Sequence, residues 1–404
     1  MKTMKLRSDG SSDIAGGSSC TGGHMEFGLF NQMYHPVHRR GERSEHECLM
    51  DELAIIEVAD RVGFKYAWAS EHHFLDEYSH LSASEAFMAY ALARTKNIHI
   101  GSGIINITPP VSPPSRVAEK VAMLDHLGQG RFEWGTGRGS SSIEVHGFGI
   151  ETMDETRDMY DETLPEIIKM MQPGEYGPFD GTFFSMPRRN VLPKPYTNPH
   201  PPIWVAAGSP GTFEKAARLG LGVLCFTMGT PDTLAPLIEV YKKNIEKAEP
   251  IGGYINNNIM VTTDMMVLED GARARQISLN NRGNYHTALL FKYLDSFPIS
   301  DGQPKWPEIP AAPEASGLEY AIRKGIVAVG TPDEAINTLK RYEAIGADQI
   351  AFGTFSTDVS LADATEAYET FGTHVLPEFD KDPIHSTTRQ RDAQLGALPS
   401  GVVV

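Results

Sequence analysis

The chain has 404 residues, 41% of them hydrophobic and 22% charged, which is enough apolar mass for one large core. A formal net charge of -16 argues against nucleic acid or an anionic membrane surface as the main partner, and no apolar run reaches the roughly 18 residues of a membrane span. Three scattered cysteines, Cys20, Cys48 and Cys225, cannot form a disulfide framework and point to a reducing, cytoplasmic compartment.

The first 24 residues are polar, rich in Gly and Ser and without the apolar centre of a signal peptide, so they read as a disordered leader before a domain spanning 25–380. Short β-prone runs then recur at "EFGLF" (26–30), "YAWAS" (66–70), "IHIGSGII" (98–105), "RFEWGT" (131–136), "IWVAA" (203–207), "GVLCF" (222–226), "IMVTTDMMV" (259–267) and "DQIAFG" (348–353). Between most of them lie helical patterns such as "SASEAFMAYALARTK" and "TPDEAINTLKRYEAIGA", with apolar residues at three and four spacing and Ser, Thr or Pro at their starts. Alternating strand and helix predicts a parallel sheet, and eight such units predict an α/β fold of the (β/α)8 TIM-barrel type, with reactive residues on loops at the C-terminal ends of strands. "GIVAVG" (325–330) is a ninth candidate strand and reads as an accessory turn leading into the last helix. Two stretches break the rhythm as insertions, the Pro/Gly-rich 172–202 and the longer 280–320; loops of this length are functional covers or disordered, and the second is expected to be a lid. Residues 381–404 lack a sustained period and read as a mobile C-terminal tail.

Three motifs fall at predicted strand ends. "WASEHHF" (68–74) places His72 and His73 side by side. Neighbours on a strand face opposite ways, so both enter one pocket only if the strand has ended. No third ligand follows at a metal-site spacing, so no metal is expected. The pair is then either satisfied by hydrogen bonds at a strand end or split, one histidine facing the pocket and the other locking the loop. "GRFEWGTGRGSS" (130–141) has the wrong glycine spacing for a dinucleotide fingerprint, but Arg138 among glycines suits a phosphate cradle, the alternative being a tight turn. In "VAAGSPGTFEKAARLG" (205–220), Gly208, Ser209, Pro210, Gly211 and Thr212 open a helix toward the barrel mouth, as an anion site or as an ordinary N-cap.

From residue 25 to about residue 376 the chain resembles the bacterial luciferase-like flavin monooxygenases, in "WASEHHF", in "IGSGIIN" followed by a Pro-rich loop, in "LDHLGQGRFEWGTGRG" and in "VAAGSPGT". The combination and order are more specific than any one piece. The resemblance implies a two-component enzyme that takes reduced FMN from a separate flavin reductase and, through a flavin peroxide formed with dioxygen, oxygenates a small organic molecule. It implies that His72 is the active-site histidine, that Arg138 and residues 208–212 hold the FMN phosphate, and that Gly103 and Ile104 form a non-prolyl cis bond under the flavin ring. Where luciferase has a reactive-site cysteine this chain has Gly137, and where it has a glutamate before the phosphate-binding serine this chain has Gly208, which argues against light emission from a long-chain aldehyde. Tyr34, His35, Phe74 and Phe226 fall where strand-end loops line a pocket and suggest an apolar or aromatic substrate. A homodimer is expected. The competing readings are a deazaflavin-dependent dehydrogenase of the same barrel superfamily and a non-catalytic flavin-binding partner subunit.

Overall fold

Twelve strands are present in chain order among the residues that the computed structural model describes, which are 25–35, 37–225, 230–281, 315–353 and 358–396. They are β1 (Glu26–Asn31), β2 (Tyr66–Ala69), β3 (His99–Ser102), β4 (Ile105–Asn106), β5 (Phe132–Gly137), β6 (Phe179–Asp180), β7 (Ser185–Met186), β8 (Ile203–Ala206), β9 (Gly222–Cys225), β10 (Ile259–Val267), β11 (Val327–Gly330) and β12 (Gln349–Gly353). Eight of them pair in parallel in the order β1, β2, β3, β5, β8, β9, β10 and β12, and β12 returns to β1, closing a (β/α)8 barrel. The early helices are α1 (Glu45–Val62), α2 (Ser84–Arg94), α3 (Pro114–Gly128), α4 (Ser142–Gly147), α5 (Glu155–Met171) and α6 (Pro210–Arg218). Helix α1 starts where the sequence says it should: Ser44 and Glu47 form a reciprocal capping box, and Gly63 ends it in the left-handed conformation.

The barrel interior is aromatic, with Phe30, Tyr66, Trp68, Trp204, Leu224, Met260 and Ala351 packed together and Tyr34, Leu75 and Tyr78 joining them. This fill makes the barrel a solid platform whose chemistry can only happen at its ends. The run 325–330, expected as a turn, is instead a strand for four of its residues: β11 pairs with Asp264, Met265, Met266 and Val267 of β10. The reason is length. The first part of β10 is held between β9 and β12, and its nine residues carry it past them, leaving backbone groups that β11 satisfies.

The 172–202 stretch is not a loose loop. It joins α5 to β8, so its ends lie at the N-terminal side of the barrel, and it folds as the β6–β7 hairpin. Glu162 of α5 accepts the N–H groups of Thr182 and Phe183, and Phe183 packs on Val145, Ile150 and Met159. Most of the expected lid, residues 282–314, lies outside the described residues.

The C-terminal segment is not a mobile tail through residue 396. Its helix Ser386–Leu395 is seated against the N-terminal end of the barrel on polar contacts. Lys65 donates to Glu26 and Asp380 at 2.7 and 3.0 Å; Ser386 donates its N–H and hydroxyl to Glu26, and Tyr66 adds its own hydroxyl. Beside them Glu133 accepts from Thr387 and from the Trp204 indole, both at 2.7 Å, and pairs with His99 at 2.8 Å. Burial pushes Glu133 up to about 8 and His99 down to about 3, so this pair is uncharged near neutral pH. Replacing Thr387 with valine keeps the shape but removes a donor from a buried carboxyl, and should cost about 1 to 3 kcal/mol. Urea unfolding checks this; an unchanged midpoint would mean that the helix does not depend on that contact.

Candidate active site

Strand β2 ends at Ala69, and the next residues leave the sheet, which separates the two histidines. The His72 ring lies 4.8 Å from the Tyr78 ring, and its Nδ1 is 3.1 and 3.2 Å from the two carboxylate oxygens of Glu144. The His73 ring turns instead onto Phe148 at 4.9 Å, and its main-chain N–H donates to Glu144 at 2.8 Å. One histidine is thus held by a carboxylate while the ring of the other packs on Phe148. Glu71 is the second anchor: it accepts from the Asn106 N–H at 3.2 Å and from the Ser84 hydroxyl at 3.1 Å, tying this loop to β4 and α2.

Neither glutamate is visible as a site residue in the sequence. Ser141 and Glu144 spell Ser-x-x-Glu, the form of a capping box. Ser141 does cap α4, accepting the Ile143 N–H, but Glu144 turns away to the histidine loop. A capping-box spelling beside a glycine loop is the only clue, and it points to a local role.

The floor of the mouth is formed by the β3–β4 connection, where the peptide between Gly103 and Ile104 is cis. Gly103 sits on Phe30: a Cβ there would lie 2.7 Å from the ring. Gly137 faces Ile104, and its Cβ would lie 2.6 Å from the Ile104 side chain. The space that a cysteine would need at position 137 is therefore taken by Ile104. Gly137→Ala should displace Ile104 and cost about 1 to 3 kcal/mol of stability by overpacking. Thermal unfolding checks this; an unchanged midpoint would show that Ile104 yields freely.

Arg138 leaves β5 and is partly buried, with Nη1 donating to the Met153 carbonyl at 2.9 Å and to the Thr156 hydroxyl at 2.7 Å. No carboxylate pairs with it among the described residues. Burial, followed by the charge of Arg157, lowers its pKa against the smaller opposing pull of Asp154 and Asp161. Strand β8 is the next strand, with Thr136 beside Val205, so residues 208–212 emerge next to Arg138. Ser209 caps α6 and accepts the Thr212 N–H, as the plain N-cap reading has it. The same turn is also open: Gly208, Ser209, Pro210 and Gly211 are exposed, and a Cβ on Gly211 would meet nothing within 4 Å.

The expected pocket residues divide. Tyr34 joins the barrel-interior cluster. His35 does not line the mouth: its N–H is held by the Glu77 carbonyl, and its Nδ1 lies 3.4 Å from Cys48 of α1, which draws the ring toward the outer helix. Phe74 is a rim residue rather than a wall, 61% exposed and resting on Phe148 at 5.0 Å. Phe226 lies outside the described residues. Among the described residues no cluster of His, Cys, Asp and Glu is suited to a metal ion.

A filled (β/α)8 barrel with a carboxylate-held histidine, a partly buried arginine and an open helix start has the form of a barrel enzyme. The family of luciferase-like monooxygenases matches residues 25–349, and the chain belongs to that family of oxidoreductases. It is 25% identical over 365 residues to limonene 1,2-monooxygenase of Rhodococcus erythropolis, covering 89% of this chain and 88% of that one. It is 28% identical over 371 residues to the oxygenase component of a flavin-dependent trigonelline monooxygenase of Acinetobacter baylyi, covering 89% and 97%. The crystal structure of the monooxygenase RslO1 from Streptomyces bottropensis superposes with a TM-score of 0.72 at 26% identity, covering 88% of this chain and all of that one.

Proposed function

We propose that the protein is the oxygenase component of a two-component monooxygenase, which takes reduced FMN from a separate flavin reductase and uses dioxygen to oxygenate a small apolar or aromatic molecule. The observation that carries this reading is Arg138, partly buried with no carboxylate partner among the described residues and placed beside the open start of α6. That pair fits a phosphate, and Gly103, Ile104 and Gly137 offer a flat, side-chain-poor floor beside it for a ring system. Reduced FMN held there supplies the electrons that activate dioxygen.

The chain's own residues do the rest. Arg138, the Gly211 N–H and the hydroxyls of Ser209 and Thr212 would hold the phosphate. Ile104, in contact with Gly137, would form part of the surface on which the ring rests. His72, with Nδ1 on Glu144, presents Nε2 to donate or accept a proton at the reacting end of the substrate. Tyr34, Leu75 and Tyr78 keep the adjoining barrel surface apolar. The protein functions as a homodimer.

Anaerobic titration with reduced FMN and with a reduced deazaflavin, followed by oxygen-uptake assays across substrate classes, tests the reading. Tight reduced-FMN binding with substrate-dependent oxygen consumption is expected. Preference for the deazaflavin with hydride transfer and no oxygen use would replace it with the dehydrogenase reading, and flavin binding without turnover in any class would leave a non-catalytic subunit.

A further inference from the structure

We infer that Glu144 is a positioning residue that sets the tautomer of His72, holding the proton on Nδ1 and leaving the Nε2 lone pair toward the barrel mouth. The kinetic part of this rests on the reading of His72 above; the tautomer itself does not.

Three observations lead there. Glu144 is buried, and both of its oxygens lie within hydrogen-bond range of His72 Nδ1, at 3.1 and 3.2 Å. A carboxylate accepts and does not donate, so the proton between them belongs to the imidazole. The other ring nitrogen, Nε2, has no protein partner among the described residues. The same carboxylate also accepts the His73 N–H at 2.8 Å, so the side chain that orients the imidazole also fixes the backbone next to it. Helix α4 has one more link to the site. The stretch that follows it is tied to Arg138 through the Met153 carbonyl, and Phe183 of the β6–β7 hairpin packs on Val145 of the same helix. Glu144 is therefore mounted on a braced element, as a residue that must hold an angle requires.

The alternative is that Glu144 only staples the loop through His73. Glu144→Gln separates the two. The amide oxygen, kept at the His73 contact, still stands 3.1 Å from His72 Nδ1, but the amide nitrogen, now a donor, takes the place of the second acceptor, which disfavours the Nδ1–H form and favours the Nε2–H form. The loop stays in place while the tautomer balance shifts. An arrangement of this kind, with orientation kept and tautomer inverted, reduces turnover by several orders of magnitude where a histidine serves as base.

The first measurement is ¹⁵N NMR of the His72 ring in the wild-type protein at an alkaline pH where imidazole is neutral, with no flavin present. We expect a protonated Nδ1 and an unprotonated Nε2; a proton on Nε2 would overturn the proposal without any variant having to fold. In Glu144→Gln the proton should shift toward Nε2 and both signals should move accordingly. With reduced FMN and substrate, that variant should lose about 100-fold or more in kcat while its KM and FMN affinity change less than about threefold. Wild-type kcat with an inverted tautomer would show that the tautomer is irrelevant to the reaction, and unchanged NMR signals in the variant would show that Glu144 does not set it. If the tautomers behave as expected but the protein neither binds reduced FMN nor consumes oxygen, the functional reading fails and the positioning assignment stands.

Discussion

Replacing His72 with alanine lowers product formation about 100-fold or more and leaves FMN binding nearly unchanged. Removing a positioned acid or base costs on the order of 100- to 10,000-fold. The imidazole stands on Glu144 at the end of β2, whereas the groups proposed to hold the phosphate leave β5 and β8, so in the proposed reading the change should reach chemistry before affinity. The loop should survive the change, because Glu144 keeps the His73 N–H and Glu71 keeps Asn106 and Ser84. Product formed per turnover and FMN affinity, measured side by side, check the expectation. His73→Ala is the comparison: its ring packs on Phe148 and should cost far less. Wild-type turnover in His72→Ala would end the assignment, and a larger loss in His73→Ala would transfer it to the neighbour.

Arg138→Ala weakens FMN by roughly 10- to 150-fold and riboflavin much less. A charge-assisted, forked contact to phosphate contributes about 1.5 to 3 kcal/mol, and riboflavin has no phosphate to receive it. The structure adds a complication, because Nη1 also holds the Met153 carbonyl and the Thr156 hydroxyl at the start of α5. Thr156→Val is the control. It removes part of that anchor and leaves the cation, so it should shift both ligands together and only slightly. Fluorescence titration of FMN and riboflavin against both variants separates the roles. Equal weakening of the two ligands by Arg138→Ala would mean that the arginine only supports the fold.

What was legible in the sequence was what depends on near neighbours. Eight apolar runs alternating with helical periods specify a parallel barrel, because each run must be covered on both faces and each helix must return the chain to the same end. "EHHF", the glycines around Arg138 and the Ser-Pro-Gly-Thr turn were legible as candidates for a similar reason: a strand end, a tight turn and a helix start are each defined within a few residues.

Tertiary structure alone decided which of those candidates act together and through whom. His72 and Glu144 lie 72 residues apart in the chain, and barrel closure brings the loop after β2 against the helix after β5; a Ser-x-x-Glu spelling describes the local cap and conceals the distant use. His35 and Tyr34 are neighbours in sequence, yet Cys48 draws one toward α1 while the other joins the interior. The C-terminal helix escaped for a different reason. It is held by Ser386, Thr387 and Gln390 on carboxyl and backbone groups of the barrel, and polar contacts of that kind leave no apolar period to read. Hydrophobic patterning determines which face of each element is buried, but the partner of a buried polar group is set by where the closed barrel places it, and that information is spread over the whole chain.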